Sequence, residues 1–198
     1  MNPLDIAVFR AINGWSDNQE EFWLFLSKGL NQGGVKIALA LLLIGLLINK
    51  KTRRGGLVAG TAWILANAWT DLFKAAIPFP RPLHDLPDVI ERVGGGSQMG
   101  TASAHAANMM CVAICFAWYF RWWGSPWVIL ALLVGISRVY VGAHYPSQVL
   151  LGWAVGAVTA ILVSGTVDHG VRLWQKKFSS PSPEPDPSHR PSDESLPS

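Results

Sequence analysis

The feature that most constrains this chain is a succession of apolar runs, several approaching the roughly 20 residues a helix needs to cross a bilayer core. They cover about residues 35–48, 56–77, 103–120, 126–141 and 146–167, the last with an extension to 174 left open. Only 15% of the residues are charged, against about a quarter in a soluble domain. A chain of 198 residues is the size of one domain. The expectation is all-α: a polytopic membrane helical bundle of about five spans, with residues 1–178 as one membrane-embedded domain.

Residues 1–30 read differently, because short apolar bursts alternate there with polar breaks. One piece carries Leu4, Ile6, Ala7, Phe9 and Ile12 and ends near Asn13-Gly14; a second, 22–30, carries Trp23 and Phe25 and stops at Gly29. Both are too interrupted to span, and they suit amphipathic helices lying in the interface. The alternative is one extra span made from both pieces. No basic start followed by a continuous apolar core marks a cleavable signal peptide. Residues 179–198 are Pro, Ser and acid, which predicts a disordered tail.

The net charge of +3 invites a nucleic-acid reading, but its distribution argues against one. Lys50, Lys51, Arg53 and Arg54, then Arg121, then Arg172, Lys176 and Lys177 flank apolar runs, as the positive-inside rule predicts for cytoplasmic loops. No nucleic-acid partner is expected. Cys111 and Cys115 lie four apart in one apolar run and read as small buried hydrophobes rather than a disulfide. Asp168 and His169 fall at the far end of the last run and read as surface residues, and His84 and His189 carry no signal.

Three segments carry chemistry. In the second run Asn67, Thr70, Asp71 and Lys74 recur at spacings of three and four, forming one polar stripe. Ionisable groups inside a membrane helix are costly and face a bundle interior or a functional cavity. A loop over 78–102 follows, stiffened by Pro78, Pro80, Pro82 and Pro87 and loosened by the Gly94-Gly95-Gly96 run, and a loop of this length is functional or disordered. Arg81 lies in it, and Ser103 and His105 follow it. Finally, Ser137 and Arg138 lie at the end of the fourth run, and His144 falls between it and the last. Arginine binds phosphate oxygens bidentately, and a histidine beside it can attack phosphorus or move a proton. Singly, each has a bland alternative: Lys74 and Arg81 as snorkelling anchors, His105 as a helix-start residue, Arg138 and His144 as interfacial ones. Five spans with basic loops inside put Lys74, Arg81, His105, Arg138 and His144 together on the extracytoplasmic side and the tail in the cytoplasm.

In order, these residues read Lys-x6-Arg-Pro, Ser-x-His and Ser-Arg-x5-His. That ordered triple resembles the signature of the type 2 phosphatidic acid phosphatase (PAP2) family, which shares its site with vanadium haloperoxidases, and the resemblance covers about residues 74–148. It implies a membrane lipid phosphatase without a metal or other cofactor. His144 matches the nucleophile that forms a phosphohistidine, and His105 the general acid. Lys74, Arg81 and Arg138 match the phosphate ligands, and Ser103 adds a hydroxyl and a main-chain N–H. Ser103 sits where a helix would begin, so the positive end of the dipole would face the phosphate.

The chain departs from the family pattern twice. Pro-Ser-Gly-His is here Ala102-Ser103-Ala104-His105, which keeps both functional side chains. Four residues after the histidine the family has an aspartate, and this chain has Gln148, which can orient the imidazole without supplying charge. Asp71 is the auxiliary carboxylate that could substitute; its simpler role is a partner for Lys74. The substrate implied is an isoprenoid or glycerolipid (di)phosphate. The short form and the His-Tyr-Pro run look like bacterial undecaprenyl-diphosphate phosphatases, although phosphatidylglycerophosphate, phosphatidate and lipid A phosphatases share the signature. The rival expectation is a relative that binds phosphorylated lipid without turnover. The sequence does not fix the oligomeric state.

Overall fold

The computed structural model describes residues 2–29, 32–94 and 98–178. The expected tail, and Gly95 and Gly96 of the glycine run, lie outside the described residues. Within them the chain is all-α: α1 (Pro3–Asn13), α2 (Glu20–Lys28), α3 (Gly33–Ile48), α4 (Arg53–Ala76), α5 (Pro82–Asp85), α6 (Ala104–Phe120), α7 (Ser125–Tyr140) and α8 (Pro146–Phe178). Local chemistry sets many of these bounds. Asn2 caps α1 through a bond from Leu4 N–H, and Pro3 opens the helix where a missing N–H costs nothing. Arg121 adopts a left-handed φ of 53°, which ends α6 and turns the chain through a short 3₁₀ segment into α7. Residues 104–140 are therefore a helical hairpin rather than one long rod.

The hydrophobic core sits where α6 packs against α4, α7 and α8, with its most extensive contact on α8. Small residues make this close approach possible, as in other membrane helix bundles. Ala59, Ala62 and Ala66 of α4 meet Cys111 and Cys115 of α6, and the backbone of Ala107 lies directly against Gly156 of α8. Both cysteines are free and buried. The outer faces are apolar instead of polar: Leu41 and Ile44 of α3, Ile64 and Trp69 of α4, and Leu150 and Leu162 of α8 are all exposed. An apolar exterior of this extent belongs against hydrocarbon. By length and apolarity the runs Ala104–Tyr140 and Pro146–Phe178 can cross a membrane, and the apolar part of α3, Ile37–Ile48, is shorter.

Three features differ from the sequence expectation. First, α8 continues to Phe178, because its charged last turns project beyond the apolar stretch without breaking the helix. Second, the 78–102 loop holds the short helix α5 and an isolated antiparallel bridge between Pro80 and Met99. Arg81 N–H donates to Gln98 O at 3.1 Å and Gly100 N–H to Phe79 O at 2.8 Å, so the ends of the loop are pinned together. Third, Asp168 is more than a surface residue. It pairs with Arg54 of α4 and accepts from Trp118 Nε1 at 3.0 Å and Tyr119 O–H at 2.9 Å, tying three helices together. Twenty residues of helix separate Asp168 from Gln148, about 30 Å along the axis, so this tie closes one end of the bundle and the predicted site occupies the other.

α1 and α2 pack on α7, and α1 also on α8. Asp5 of α1 accepts from Ser147 N–H at 2.9 Å and from the Ser147 hydroxyl. A carboxylate from another helix thereby satisfies the first turn of α8, which favours negative charge. Asn13 binds Ile90 O at 3.0 Å, Tyr140 O at 2.8 Å and Ile90 N–H at 2.9 Å. Arg92 donates to Asn13 O and Tyr140 O at 2.8 and 3.0 Å and to Asp17 at 2.8 Å. Together they knot the N-terminal helices and the long loop to the end of α7.

Candidate active site

Arg138 lies in the last turn of α7, and its main-chain carbonyl accepts from Ala143 N–H at 3.0 Å and His144 N–H at 3.1 Å. Gly142, at φ 82°, supplies the left-handed residue this turn requires. The turn fixes a buried guanidinium and a buried imidazole close together, which is why the sequence spaces them six apart. Arg138 Nη1 donates to the carbonyl and hydroxyl of Ser27. Its Nε is buried without a hydrogen-bond partner, and among the described residues no carboxylate pairs with it.

His144 is 2% exposed. Its Nδ1 lies 3.1 Å from Gln148 Oε1, which also accepts from Tyr145 N–H at 3.2 Å, while Gln148 Nε2 donates to Pro80 O at 2.9 Å. A backbone N–H only donates and a backbone carbonyl only accepts. These two partners therefore fix which way the amide points, and with it the histidine tautomer: Nδ1 carries the proton and Nε2 the lone pair. Burial, followed by the positive charges of Arg81 and Arg138, holds His144 well below the usual 6.5. It is therefore neutral near pH 7, the form in which an imidazole can attack.

Arg81 comes from the pinned loop, with Nε donating to Met99 O at 3.4 Å, and burial lowers its pKa as well. Ser103 caps α6 and is fully buried. Its N–H donates to Gln148 O at 3.0 Å, so that main-chain donor is engaged and unavailable to a phosphate. This corrects the expectation for the N–H while leaving the hydroxyl in place. The charges of Lys74, Arg81 and Arg138 all reach His105. Asp71 binds Lys74 at 3.0 Å and accepts from Asn67 at 3.2 Å; the hydrogen bond at His144 Nδ1 goes to Gln148 instead.

The structure thus links His144, Gln148, Ser103 and Arg138 through hydrogen bonds, places Arg81 beside Gln148 across Gly100, brings His105 within the charge of Arg138, Arg81 and Lys74, and pairs Lys74 with Asp71. Three contributors escape the sequence reading: Ser27, the Pro80 carbonyl and Gly100, which packs against Gln148 and Arg81. For Ser27 the available signal is the buried stripe Trp23, Leu26, Ser27 on α2, whose polar member faces inward. A groove of about 630 Å³ runs beside the site between α1, the end of α4 and the start of α8. Leu4, Val8, Phe79 and Leu150 line it, with Gln148 at its inner edge.

Such a site clusters cations and neutral acceptors around a neutral imidazole, a combination suited to a phosphate group. Comparisons with known proteins agree. The PAP2 superfamily profile matches residues 55–170. The decaprenylphosphoryl-5-phosphoribose phosphatase of Mycobacterium tuberculosis is 35% identical over 126 residues, covering 63% of this chain and 68% of that protein. The undecaprenyl-diphosphatase BcrC of Bacillus subtilis is 29% identical over 164 residues, covering 80% and 82%. The crystal structure of Aquifex aeolicus LpxE superposes with a TM-score of 0.71 at 24% identity, over 82% of this chain and 95% of that one, a likeness of fold. The match across the helices that build the site, together with the ordered residues within it, shows that this chain belongs to the PAP2 superfamily, on its membrane lipid phosphatase branch.

Proposed function

We propose that this protein crosses the membrane five times, through α3, α4, α6, α7 and α8, and hydrolyses an isoprenoid (di)phosphate of the undecaprenyl type at the extracytoplasmic face. The observation that carries the reading is the hydrogen bond from His144 to Gln148, set among Arg81, Arg138 and His105. With Nδ1–H held, Nε2 attacks phosphorus; an N–P bond forms as the P–O bond to the leaving group breaks, and His105, which enters as the imidazolium once the anionic phosphate offsets the surrounding cations, gives a proton to the leaving oxygen. Water then gives a proton to His105 while its oxygen takes phosphorus from His144, releasing phosphate. Lys74, Arg81, Arg138 and the Ser103 hydroxyl hold the other phosphate oxygens through both steps, so the chain's own cations carry the charge stabilisation and no metal is invoked.

The basic residues support this choice of face. Arg54 and Arg121 lie at the end of the bundle opposite His144, and the positive-inside rule turns that end to the cytoplasm. α1 and α2, with Leu4, Phe22 and Phe25 exposed, lie in the outer interface beside the site. Headgroups reach this depth, and the apolar groove ending at Gln148 offers a path for the tail. The decaprenyl and undecaprenyl groups in the names of these relatives favour isoprenoid over glycerolipid.

The test is phosphate release by purified protein in detergent with chelator present. The panel is undecaprenyl diphosphate, phosphatidylglycerophosphate and phosphatidate, with His144→Ala alongside. Chelator-resistant release from the isoprenoid, absent in His144→Ala and accompanied by an acid-labile phosphoprotein, is the expected result. Phosphate binding without release from any lipid would replace this reading with that of a non-catalytic binder.

A further inference from the structure

Ser27 lies on α2, more than a hundred residues before the arginine it touches. It is 1% exposed, and both its oxygens accept from one prong of the Arg138 guanidinium. Burying a guanidinium without a counter-charge is expensive, yet among the described residues no carboxylate pairs with Arg138. Its Nε is buried and unpartnered. One end of the fork is therefore held and another donor is left unsatisfied, an arrangement completed by an anion.

The choice of a neutral acceptor matters. A carboxylate at position 27 would orient Arg138 equally well but cancel the charge that attracts phosphate. A serine orients it and leaves the charge intact. Gln148 has the same character at His144, acting through a neutral amide. We infer that Ser27 is a positioning residue for phosphate binding, which makes α2 part of the active site rather than only a membrane-surface helix. This rests on the phosphatase reading above.

Titration of the detergent-purified protein with inorganic phosphate and vanadate tests it, alongside KM and kcat on undecaprenyl diphosphate. Ser27→Ala should weaken phosphate binding about tenfold, the size of one charge-assisted hydrogen bond. KM should rise by a similar factor with kcat within about threefold, because this contact serves ground and transition states alike. Ser27→Thr, which keeps the hydroxyl, should restore most of the affinity. In an Arg138→Met background, Ser27→Ala should change phosphate affinity less than about twofold. If Ser27→Ala lowers the melting temperature but binds phosphate like the parent, or if its effect persists with Arg138→Met, the positioning role is overturned while the phosphatase reading stands. A parent that binds neither phosphate nor vanadate would overturn both.

Discussion

The side-chain amide of Gln148 bridges the turn that carries His144 and the loop that carries Arg81: it donates to Pro80 O at 2.9 Å and faces His144 Nδ1 at 3.1 Å. Pro80 precedes Arg81, so one residue anchors both the loop that presents Arg81, the proposed phosphate ligand, and the imidazole of His144, the proposed nucleophile. An aspartate could accept from the histidine but could not donate to Pro80. The glutamine in this chain therefore exchanges a charge beside His144 for a tie to the loop.

Replacing it separates the two roles. Gln148→Ala leaves His144 Nδ1–H, Tyr145 N–H and Pro80 O without their partner, and kcat/KM should fall about 10²–10⁴-fold through loss of the tautomer. Gln148→Glu keeps the length and one acceptor but turns a carboxylate oxygen toward Pro80 O. It should cost about 1–3 kcal/mol of stability while raising the acidic limb of the rate profile, because the new charge favours imidazolium. Steady-state rates across pH, with melting temperatures in detergent, check both.

The pH dependence of the parent follows from His144 being held below 6.5 by burial and the cations of Arg81 and Arg138. Between its folded and unfolded values the unfolded chain binds more protons, so stability falls as pH drops. Its contribution is complete above about 6.5 and erodes as pH falls toward the lowered folded value. The acidic limb of the rate that His144, the proposed nucleophile, sets should likewise lie in mild acid below pH 6.5. Arg81→Met removes one of the cations and should move that limb upward as it weakens phosphate binding.

Much of this was legible in the sequence, and for a physical reason. Lys74, Arg81, Ser103, His105, Arg138 and His144 lie at helix ends and in short turns, where spacing along the chain fixes spacing in space. The turn binding His144 N–H to Arg138 O is an example. Ser27 and the Arg92–Asn13–Tyr140 knot were not legible, because each joins residues far apart in the chain through one hydrogen-bonding group. No periodicity encodes such a meeting. Asp168 reads as a surface residue in the sequence because a lone carboxylate at the far end of an apolar run gives no sign that Arg54, Trp118 and Tyr119 converge on it.

Asp71 was the carboxylate offered as a replacement for the missing family aspartate, and its geometry argues for a lesser part. It pairs with Lys74, and its side chain is 61% exposed. An exposed pair of this kind contributes about 0–1 kcal/mol. Asp71→Asn should therefore leave kcat within about threefold, with the change confined to phosphate affinity through a freer Lys74. A loss of a hundredfold or more in kcat would instead restore Asp71 as the working carboxylate.

The Asn13–Arg92 knot should govern stability. Arg92 stacks on the Tyr140 ring at 4.1 Å and donates to three oxygens. Arg92→Lys loses the planar fork and should cost about 1–3 kcal/mol, the range for hydrogen bonds to a charged group. Thermal unfolding in detergent measures it. Because Tyr140 ends α7 between Arg138 and His144 and its carbonyl is held by Asn13 and Arg92, activity should fall at a lower temperature than in the parent.

Gly100 provides the sharpest test of how tightly the site is built. A Cβ at this position would stand 2.7 Å from Gln148 Oε1 and 2.8 Å from Arg81 Cγ, both inside van der Waals contact. The backbone cannot retreat, because Gly100 N–H is bonded to Phe79 O at 2.8 Å and the Pro80–Met99 bridge lies beside it. The side chains must move instead, and they are the residue that orients His144 and the proposed phosphate ligand Arg81. Displacing a positioned group by about 1 Å can cost about a hundredfold in rate, whereas overpacking costs about 1–3 kcal/mol of stability. Gly100→Ala should thus lower kcat/KM about 10–100-fold with a modest drop in melting temperature. Gly60→Ala, where nothing lies within 4 Å, should leave both near the parent. Equal rates for the two variants would mean that Gln148 and Arg81 tolerate displacement, and that the site is looser than this packing describes.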